Sequence, residues 1–315
     1  MKVSKNLAYG LMVLAAIMWA TSGTFTQLAY DSGADRWDVT VFSTIFTGIF
    51  LLPLIALFDK RSIRIERKDF LPLFFFAQIT GTFFAIAWYT CVELTGVATA
   101  VTLLYAYPSI VTIVSVFLLS ERLTREKAIA LPLTFIGAVL VVAAKDIQGG
   151  FDFNVLGVLL GVYTAVAGAF YYVWGKKLLD KYSANTIVLY LTLLSIPVLI
   201  VIALIVPFIG GATADDSLHI SLSMNAWGYI LLIGILPGAV GPVVSMVALK
   251  HIQASRASII ASIEPVAAVV IAFLVLSETL SLFQGIGVGL VFLGVLMLRL
   301  RAEPETNPEA VALER

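Results

Sequence analysis

The sequence predicts an all-α membrane protein with ten transmembrane helices, arranged as two inverted five-helix repeats. Three observations carry this prediction. The 315 residues are 60% hydrophobic and only 13% charged, with a mean hydropathy of +1.00, whereas a soluble domain is about a quarter charged. The apolar residues fall into ten runs, each long enough to cross a bilayer as a helix. A segment of the first half recurs, without gaps, in the second half.

Each apolar run has the length that an α-helix needs to cross the hydrocarbon core. The first run is too long for the core of a signal peptide, so we interpret it as a membrane helix. In chain order the predicted spans are Leu7–Leu28, Val39–Phe58, Phe70–Cys91, Val97–Leu119, Ala128–Ala144, Val155–Trp174, Ala184–Phe208, Ala226–Ala248, Ala257–Leu276 and Leu282–Leu300.

Lysine and arginine are distributed unequally between the connections. If the N terminus is cytoplasmic, 18 of the 20 basic residues fall on the cytoplasmic side, and only Arg36 and Lys145 fall outside. Basic residues accumulate in cytoplasmic loops, so both termini are predicted to be cytoplasmic. A miscounted span would destroy this asymmetry, which therefore also supports the number ten. Residues 301–315 are rich in Pro and Glu and are predicted to form a disordered tail.

The repeat aligns "YPSIVTIVSVFLLSERLT", which begins at Tyr107, with "EPVAAVVIAFLVLSETLS", which begins at Glu264. Pro108 then matches Pro265, and Glu121 matches Glu278. Because the two Ser-Glu loops would lie on opposite sides of the membrane, the halves are predicted to be inverted, with residues 1–148 and 149–300 as the two repeats. Inverted repeats are typical of secondary transporters, in which the halves exchange conformations about a central site.

Each half has a Pro-containing helix, then "SE.L", then a Gly-containing helix. This pattern resembles the EamA-type members of the drug/metabolite transporter superfamily. The matching residues are "YAYPSIVTIVSVFLLSERLT" and "SIEPVAAVVIAFLVLSETLS", and the Trp-containing stretches "AAIMWATSGTF" and "GAFYYVWGKKL" are also similar. The resemblance covers residues 7–300 and implies the fold and transport. It leaves the substrate open among amino acids, sugars, nucleobases, amines and drugs.

Glu264 is the residue that an apolar span explains least. It lies about eight residues into the ninth span, roughly 12 Å along the axis, and a charge at mid-bilayer costs about 2.5–3.5 kcal/mol. One interpretation is a proton carrier or a partner for a cation, since burial disfavours the charged form. The other is structural, because Pro265 leaves a backbone carbonyl without its donor. Its repeat partner is Tyr107, so the carboxylate belongs to one half only.

Aromatic residues at mid-depth are predicted to line a cavity with this carboxylate, because a buried Tyr hydroxyl needs a partner. Such a cavity suits a flat or cationic organic solute. Trp88, Trp174 and Trp227 lie near span ends and are instead typical of the lipid interface. The predicted lining residues are Trp19, Gln78, Tyr105, Tyr107, Tyr163, Tyr171 and Glu264.

Prolines mark four predicted kinks or hinges. Pro237 and Pro242 belong to "GILPGAVGPVV" in the eighth span, and Pro108 and Pro265 are the repeated pair. A weakened helix is tolerated where it borders a cavity. Glu121 and its match Glu278 are predicted to act as caps or loop anchors at helix ends.

Composition also excludes several classes of protein. The net charge is zero, which argues against nucleic acid as a partner. Cys91 is the only cysteine, and neither metal-ligand spacing, an intramembrane catalytic pattern nor an ATP-binding motif is present. We therefore predict no enzyme, no metal and no cofactor. The expected partners are a small organic solute, protons and membrane lipids, with the chain as a monomer or weak homodimer in the inner membrane.

The predicted function is gradient-driven transport of a small organic metabolite, with coupling to protons and with export favoured. Two alternatives on the same fold stay open. One is a flippase for lipid-linked molecules, and the other is an uptake carrier for an organic cation. A channel is disfavoured because one acidic residue among bulky aromatics does not form a charged pore ring.

Overall fold

The structure is a computed structural model that describes residues 4–143, 154–208, 218–276 and 281–300. Within these ranges it is helical and contains no strand. The predicted boundary between residues 148 and 149 and the predicted tail at 301–315 lie outside the described residues. The helices are α1 (Lys5–Asp31), α2 (Arg36–Phe58), α3 (Phe70–Ala77), α4 (Phe83–Leu104), α5 (Tyr107–Leu118), α6 (Arg125–Ala143), α7 (Val155–Leu178), α8 (Ala184–Ile205), α9 (Met224–Ile233), α10 (Gly241–His251), α11 (Ala254–Ala261), α12 (Glu264–Leu276) and α13 (Leu282–Leu300).

Seven helical segments of the described chain are long and apolar enough to cross a membrane, and the fold is therefore that of an all-helical membrane protein. Two shorter apolar helices, Tyr107–Leu118 and Leu282–Leu298, accompany them. The seven segments are Lys5–Asp31, Arg36–Phe58, Arg67–Val92, Val155–Leu178, Ala184–Phe208, Met224–His251 and Ala254–Val275.

Polar side chains start several of these helices by accepting hydrogen bonds from backbone N–H groups of the first turn. Ser4 accepts from Leu7 at α1, and Ser183 accepts from Thr186 at α8. At α2, Asp35 and Asp38 form a capping box, in which each carboxylate accepts from the backbone of the other residue. The chain between spans is therefore ordered by local chemistry at the helix starts.

Helix α4 runs through residues 92–96, where the sequence predicted a break between two spans. A Cβ atom on Gly161 of α7 would lie 2.9 Å from Cβ of Leu103 and 3.0 Å from the sulfur of Cys91. A straight helix would separate residues 91 and 103 by about 18 Å. Since both residues reach the same glycine, the chain turns back along α7 within this helical segment.

Two π-helical breaks interrupt the long helices at positions that match in the repeat. The segment π1 (Gln78–Thr82) separates α3 from α4, and π2 (Gly234–Val240) separates α9 from α10. Each break is held by a hydroxyl from a distant helix. Ser195 Oγ donates to the carbonyl of Ala77 at 3.2 Å, and Thr47 Oγ1 donates to the carbonyl of Gly234 at 2.8 Å. Ala77 and Gly234 are equivalent positions in the alignment.

A second pair of breaks lies within the predicted fourth and ninth spans, at the positions of the predicted kinks Pro108 and Pro265. Helix α5 begins at Tyr107 and α12 begins at Glu264, and a two-residue turn precedes each of them. Pro108 and Pro265 are therefore the second residues of new helices, where the missing N–H has no helical partner to lose. Pro237 lies inside π2, and Pro242 lies in the first turn of α10.

Helices α6 and α13 pack against each other in an antiparallel pair. A Cβ on Gly137 would lie 2.8 Å from Val291 Cγ2, and a Cβ on Gly294 would lie 2.7 Å from Thr134 Cγ2. Gly137 aligns with Gly294, and Thr134 aligns with Val291. The contact is thus reciprocal under the sequence repeat, as expected for two elements related by a two-fold axis.

Candidate functional site

Glu264 lies about midway along the broken helix formed by α11 and α12, and it is the first residue of α12. The side chain is half-buried at the first turn of α12. The Tyr105 hydroxyl, from the turn before α5, lies within hydrogen-bonding range of its carboxylate. The positive end of the α12 dipole lies at this residue and favours an anion there.

Aromatic rings form a continuous chain from this carboxylate to α1. The centroids of Tyr105 and Tyr107 are 6.0 Å apart, and Tyr107 stacks on Tyr172 at 5.6 Å with an interplanar angle of 3°. Tyr172 meets Tyr171 edge-on at 5.4 Å, and Tyr171 meets Trp19 edge-on at 6.2 Å. The structure therefore brings Trp19, Tyr105, Tyr107 and Tyr171 together, as the sequence predicted, and it joins them to the acidic residue.

The tyrosine hydroxyls differ in their partners. Tyr107 donates to the carbonyl of Ser258 at 3.3 Å, and Tyr171 donates to Ser245 Oγ at 3.5 Å. The hydroxyl of Tyr172 is buried and lies beside the hydroxyl of Tyr107. Sequence reasoning noted Tyr172 but did not select it, because depth alone does not distinguish neighbouring residues of one helix.

Glycines allow the rings to approach the opposite helices. A Cβ on Gly168 of α7 would lie 3.4 Å from the Tyr107 ring, and a Cβ on Gly241 of α10 would lie 2.9 Å from Trp19 Nε1. A Cβ at Gly241 would be closer to the Trp19 ring than van der Waals contact permits, whereas one at Gly168 would just touch the Tyr107 ring. The two glycines therefore allow the aromatic chain to pack between α1, α5, α7 and α10.

Gln78 and Tyr163 form their hydrogen bonds at π1, two residues beyond Phe76, whose ring stacks on Tyr171 at 6.1 Å. Tyr163 donates its hydroxyl to the carbonyl of Ile79 at 3.1 Å, and Gln78 Nε2 donates to the carbonyl of Leu194 at 3.0 Å. The predicted site residues therefore lie in two adjoining sets. One is the chain of rings that reaches Glu264 through Tyr105, and the other is the pair of hydrogen bonds at π1.

Glu121 anchors the start of α11, which confirms the capping role expected from the sequence. Its carboxylate accepts from the backbone N–H groups of Ala254 at 2.6 Å and Ser255 at 3.3 Å, and from the Ser255 hydroxyl. Lys127, only 1% exposed, lies 3.4 Å from the same carboxylate. Its Nζ also donates to the carbonyl of Arg122 at 2.9 Å. The matching Glu278 lies outside the described residues.

The structure joins His219 to two carboxylates at the start of α2, a grouping that its sequence position did not indicate. The ring nitrogen Nδ1 lies 3.0 Å from Asp35 and 3.3 Å from Asp38, and the His219 N–H donates to Asp38 at 2.7 Å. These three side chains are close enough to hold a metal ion. Burial raises the pKa of Asp35. Their mutual hydrogen bonds give them the simpler role of anchoring this connection.

Apolar helices of membrane-crossing length, several of them broken, define an integral membrane protein. The comparisons with known proteins agree with this class. The EamA-like transporter family matches residues 6–143 and 155–300. The chain belongs to this family.

Relatives with similar sequences are themselves described as transporters. An uncharacterized transporter of Archaeoglobus fulgidus is 28% identical over 286 residues, which covers 91% of this chain and 94% of the relative. The uncharacterized inner membrane transporter YicL of Salmonella typhimurium is 25% identical, with 92% and 94% covered. A crystal structure of another protein superposes with a TM-score of 0.79 at 16% identity, covers 94% of this chain and 98% of its own, and supports the fold.

Proposed function

We propose that the protein is a secondary active transporter that moves a small organic metabolite across the inner membrane by alternating access. In this proposal, ten spans form two inverted halves, residues 1–148 and 149–300, with both termini in the cytoplasm. The matched breaks and the reciprocal contact between α6 and α13 support the inverted repeat. The two ranges matched by the family, which are similar in length, also support it.

The observation that carries the proposal is the position of Glu264. Its carboxylate lies at mid-length of a broken helix, beside the Tyr105 hydroxyl and at one end of the aromatic chain. A carboxylate at this depth is expensive unless it binds a proton or a cation. Tyrosine and tryptophan rings add stacking and cation–π attraction. The chemistry therefore favours a flat or cationic organic solute, with a proton competing for the same carboxylate.

Competition between a proton and the solute for the Glu264 carboxylate is sufficient to couple proton movement to solute movement. The site holds either a proton or the cationic group of the solute, and an inward–outward exchange of the two halves carries one in each direction. This order of events gives export when the proton gradient points inward. The breaks at π1, π2 and the starts of α5 and α12 supply the flexible points that such an exchange needs.

Replacing Trp19 by Ala is expected to remove solute binding but to leave the fold intact. Trp19 ends the aromatic chain beside Tyr171. Purified protein is first screened by thermal unfolding against aromatic amines, amino acids and nucleobases, and the compound that stabilises the wild type most is then used as the probe. The control is Trp227→Ala, which removes an indole that contacts Phe42 and Phe46. We expect the compound to raise the melting temperature of Trp227→Ala but not that of Trp19→Ala. Equal increases in the melting temperature of both variants would contradict a role for Trp19 in solute binding.

A further inference from the structure

Two buried oxygen atoms on the third span have no hydrogen-bond partner within the part of the chain that the structure describes. They are Oε1 of Gln78 and Oγ1 of Thr82, in side chains of residues that are 4% and 0% exposed. An unsatisfied buried oxygen costs about 1–3 kcal/mol. Both belong to π1, a type of helix that is frequent at functional sites.

The two oxygens lie on one face of π1. Gln78 and Thr82 are four residues apart, which is close to one turn of a helix with i→i+5 hydrogen bonds. The orientation of the Gln78 amide is fixed by chemistry, because Nε2 donates to the carbonyl of Leu194, and a carbonyl can only accept. Oε1 is therefore the acceptor end, and it remains available for a ligand.

Helix α8 packs against π1 through Leu194 and Ser195. Ser195 Oγ is already bound to the carbonyls of Ala77 and Leu191. The interface between π1 and α8 thus holds two neutral side-chain oxygen atoms, Gln78 Oε1 and Thr82 Oγ1, that have no hydrogen-bond partner among the described residues.

We propose that this interface binds a monovalent cation, with Na⁺ as the chemical type that fits. Hard cations take carbonyl, amide and hydroxyl oxygens as ligands. The named ligands are all neutral, so they suit a single positive charge better than a double one. Broken helices of transporters use the same kinds of group to bind Na⁺. The equivalent π2 is "GILPGAV" and has no side-chain oxygen, so the site belongs to one half only.

The cation site and the Glu264 site are separate in this proposal. Binding of Na⁺ at π1 does not require transport, but a role for Na⁺ as a coupling ion rests on the proposed function. A bound cation would hold π1 against α8, and its release would free the break to bend. Na⁺ binding is therefore measured without transport, so that failure of the cation site and failure of the proposed transport function can be distinguished.

Sodium binding is measured on the purified full chain by equilibrium uptake of radioactive Na⁺ and by thermal unfolding in NaCl against choline chloride at equal ionic strength. In the wild type, we expect a saturable, Na⁺-specific rise of the melting temperature. Thr82→Val removes one ligand and is expected to weaken Na⁺ binding roughly tenfold, which corresponds to about 1.4 kcal/mol. Thr82→Ser keeps the oxygen and is expected to retain binding.

Thr112→Val is the matched control. Thr112 is 2% exposed and donates its hydroxyl to Pro108 within its own helix, so its loss has the same size but touches no proposed ligand. Equal Na⁺ binding by Thr82→Val and Thr112→Val would overturn the proposal. So would a wild type that shows no difference between NaCl and choline chloride, which would indicate that the oxygens are satisfied by water. If Thr82→Val does not fold, Gln78→Leu takes its place. Weaker Na⁺ binding by Gln78→Leu would support the proposed site, and unchanged Na⁺ binding would overturn it.

Discussion

Replacing Glu264 by Gln is expected to abolish transport driven by a pH gradient while leaving the protein folded. Gln has the same size and can still hydrogen-bond to the Tyr105 hydroxyl, but it cannot ionise or exchange a proton. The proposed exchange of a proton for the solute then has no carrier. The measurement is flux of the stabilising compound into proteoliposomes with and without an imposed pH gradient, and we expect the gradient-dependent part to disappear.

Glu66→Gln is the matched control for this experiment. Glu66 is an exposed carboxylate that pairs with Lys68 and Lys181 outside the membrane-spanning helices. The same chemical change there is expected to leave the flux unaltered. If Glu264→Gln kept both the gradient dependence and the affinity for the compound, the carboxylate would be structural, as in the interpretation based on Pro265.

Replacing Glu121 by Ala is expected to cause a large loss in the free energy of unfolding. The change leaves Lys127 buried without its carboxylate and removes the cap from the α11 backbone at Ala254 and Ser255. Breaking a buried pair on one side costs about 3–5 kcal/mol. The free energy of unfolding in detergent, measured by chemical denaturation, is expected to fall by this amount.

The double variant Glu121→Ala with Lys127→Met separates the two contributions. Replacing Lys127 removes the buried charge that has lost the Glu121 carboxylate, so the double variant is expected to be more stable than Glu121→Ala alone. The missing cap remains, so recovery is expected to be incomplete. If the double variant were no more stable than the single one, the buried lysine would not be the source of the loss.

The paired proline breaks could be predicted from the sequence to a large extent. Pro108 and Pro265 are read directly from the alignment, and the structure starts a new helix at the residue before each of them. The two π-helical breaks differ in this respect. Pro237 marks π2 as a predicted kink, whereas π1 contains no proline and was not predicted. The hydroxyls that hold these breaks, from Thr47 and Ser195, come from helices far away in sequence.

For the candidate site, too, the sequence predicts some features, and others depend on packing between distant helices. Hydropathy gives the depth of a residue, and the structure places the rings of Trp19, Tyr105, Tyr107 and Tyr171 in one chain of contacts through Tyr172. Depth does not give the direction in which a side chain leaves its helix. Tyr163 therefore has a suitable depth but contacts π1, and the place of Tyr172 between Tyr107 and Tyr171 could be recognised only from its packing.

In the proposed mechanism, the surroundings of Glu264 open alternately to the two sides of the membrane. Labelling of Ser262→Cys, in the turn before Glu264, with a membrane-impermeant maleimide in oriented vesicles tests this alternation. The background is Cys91→Ser, which removes the buried native thiol, and Thr192→Cys, at a buried position bonded within α8, is the unreactive control. We predict labelling of position 262 from either side, with the probe compound protecting it from both. Labelling of position 262 from one side only would contradict alternating access at this site. So would a complete absence of labelling at position 262, as in the Thr192→Cys control.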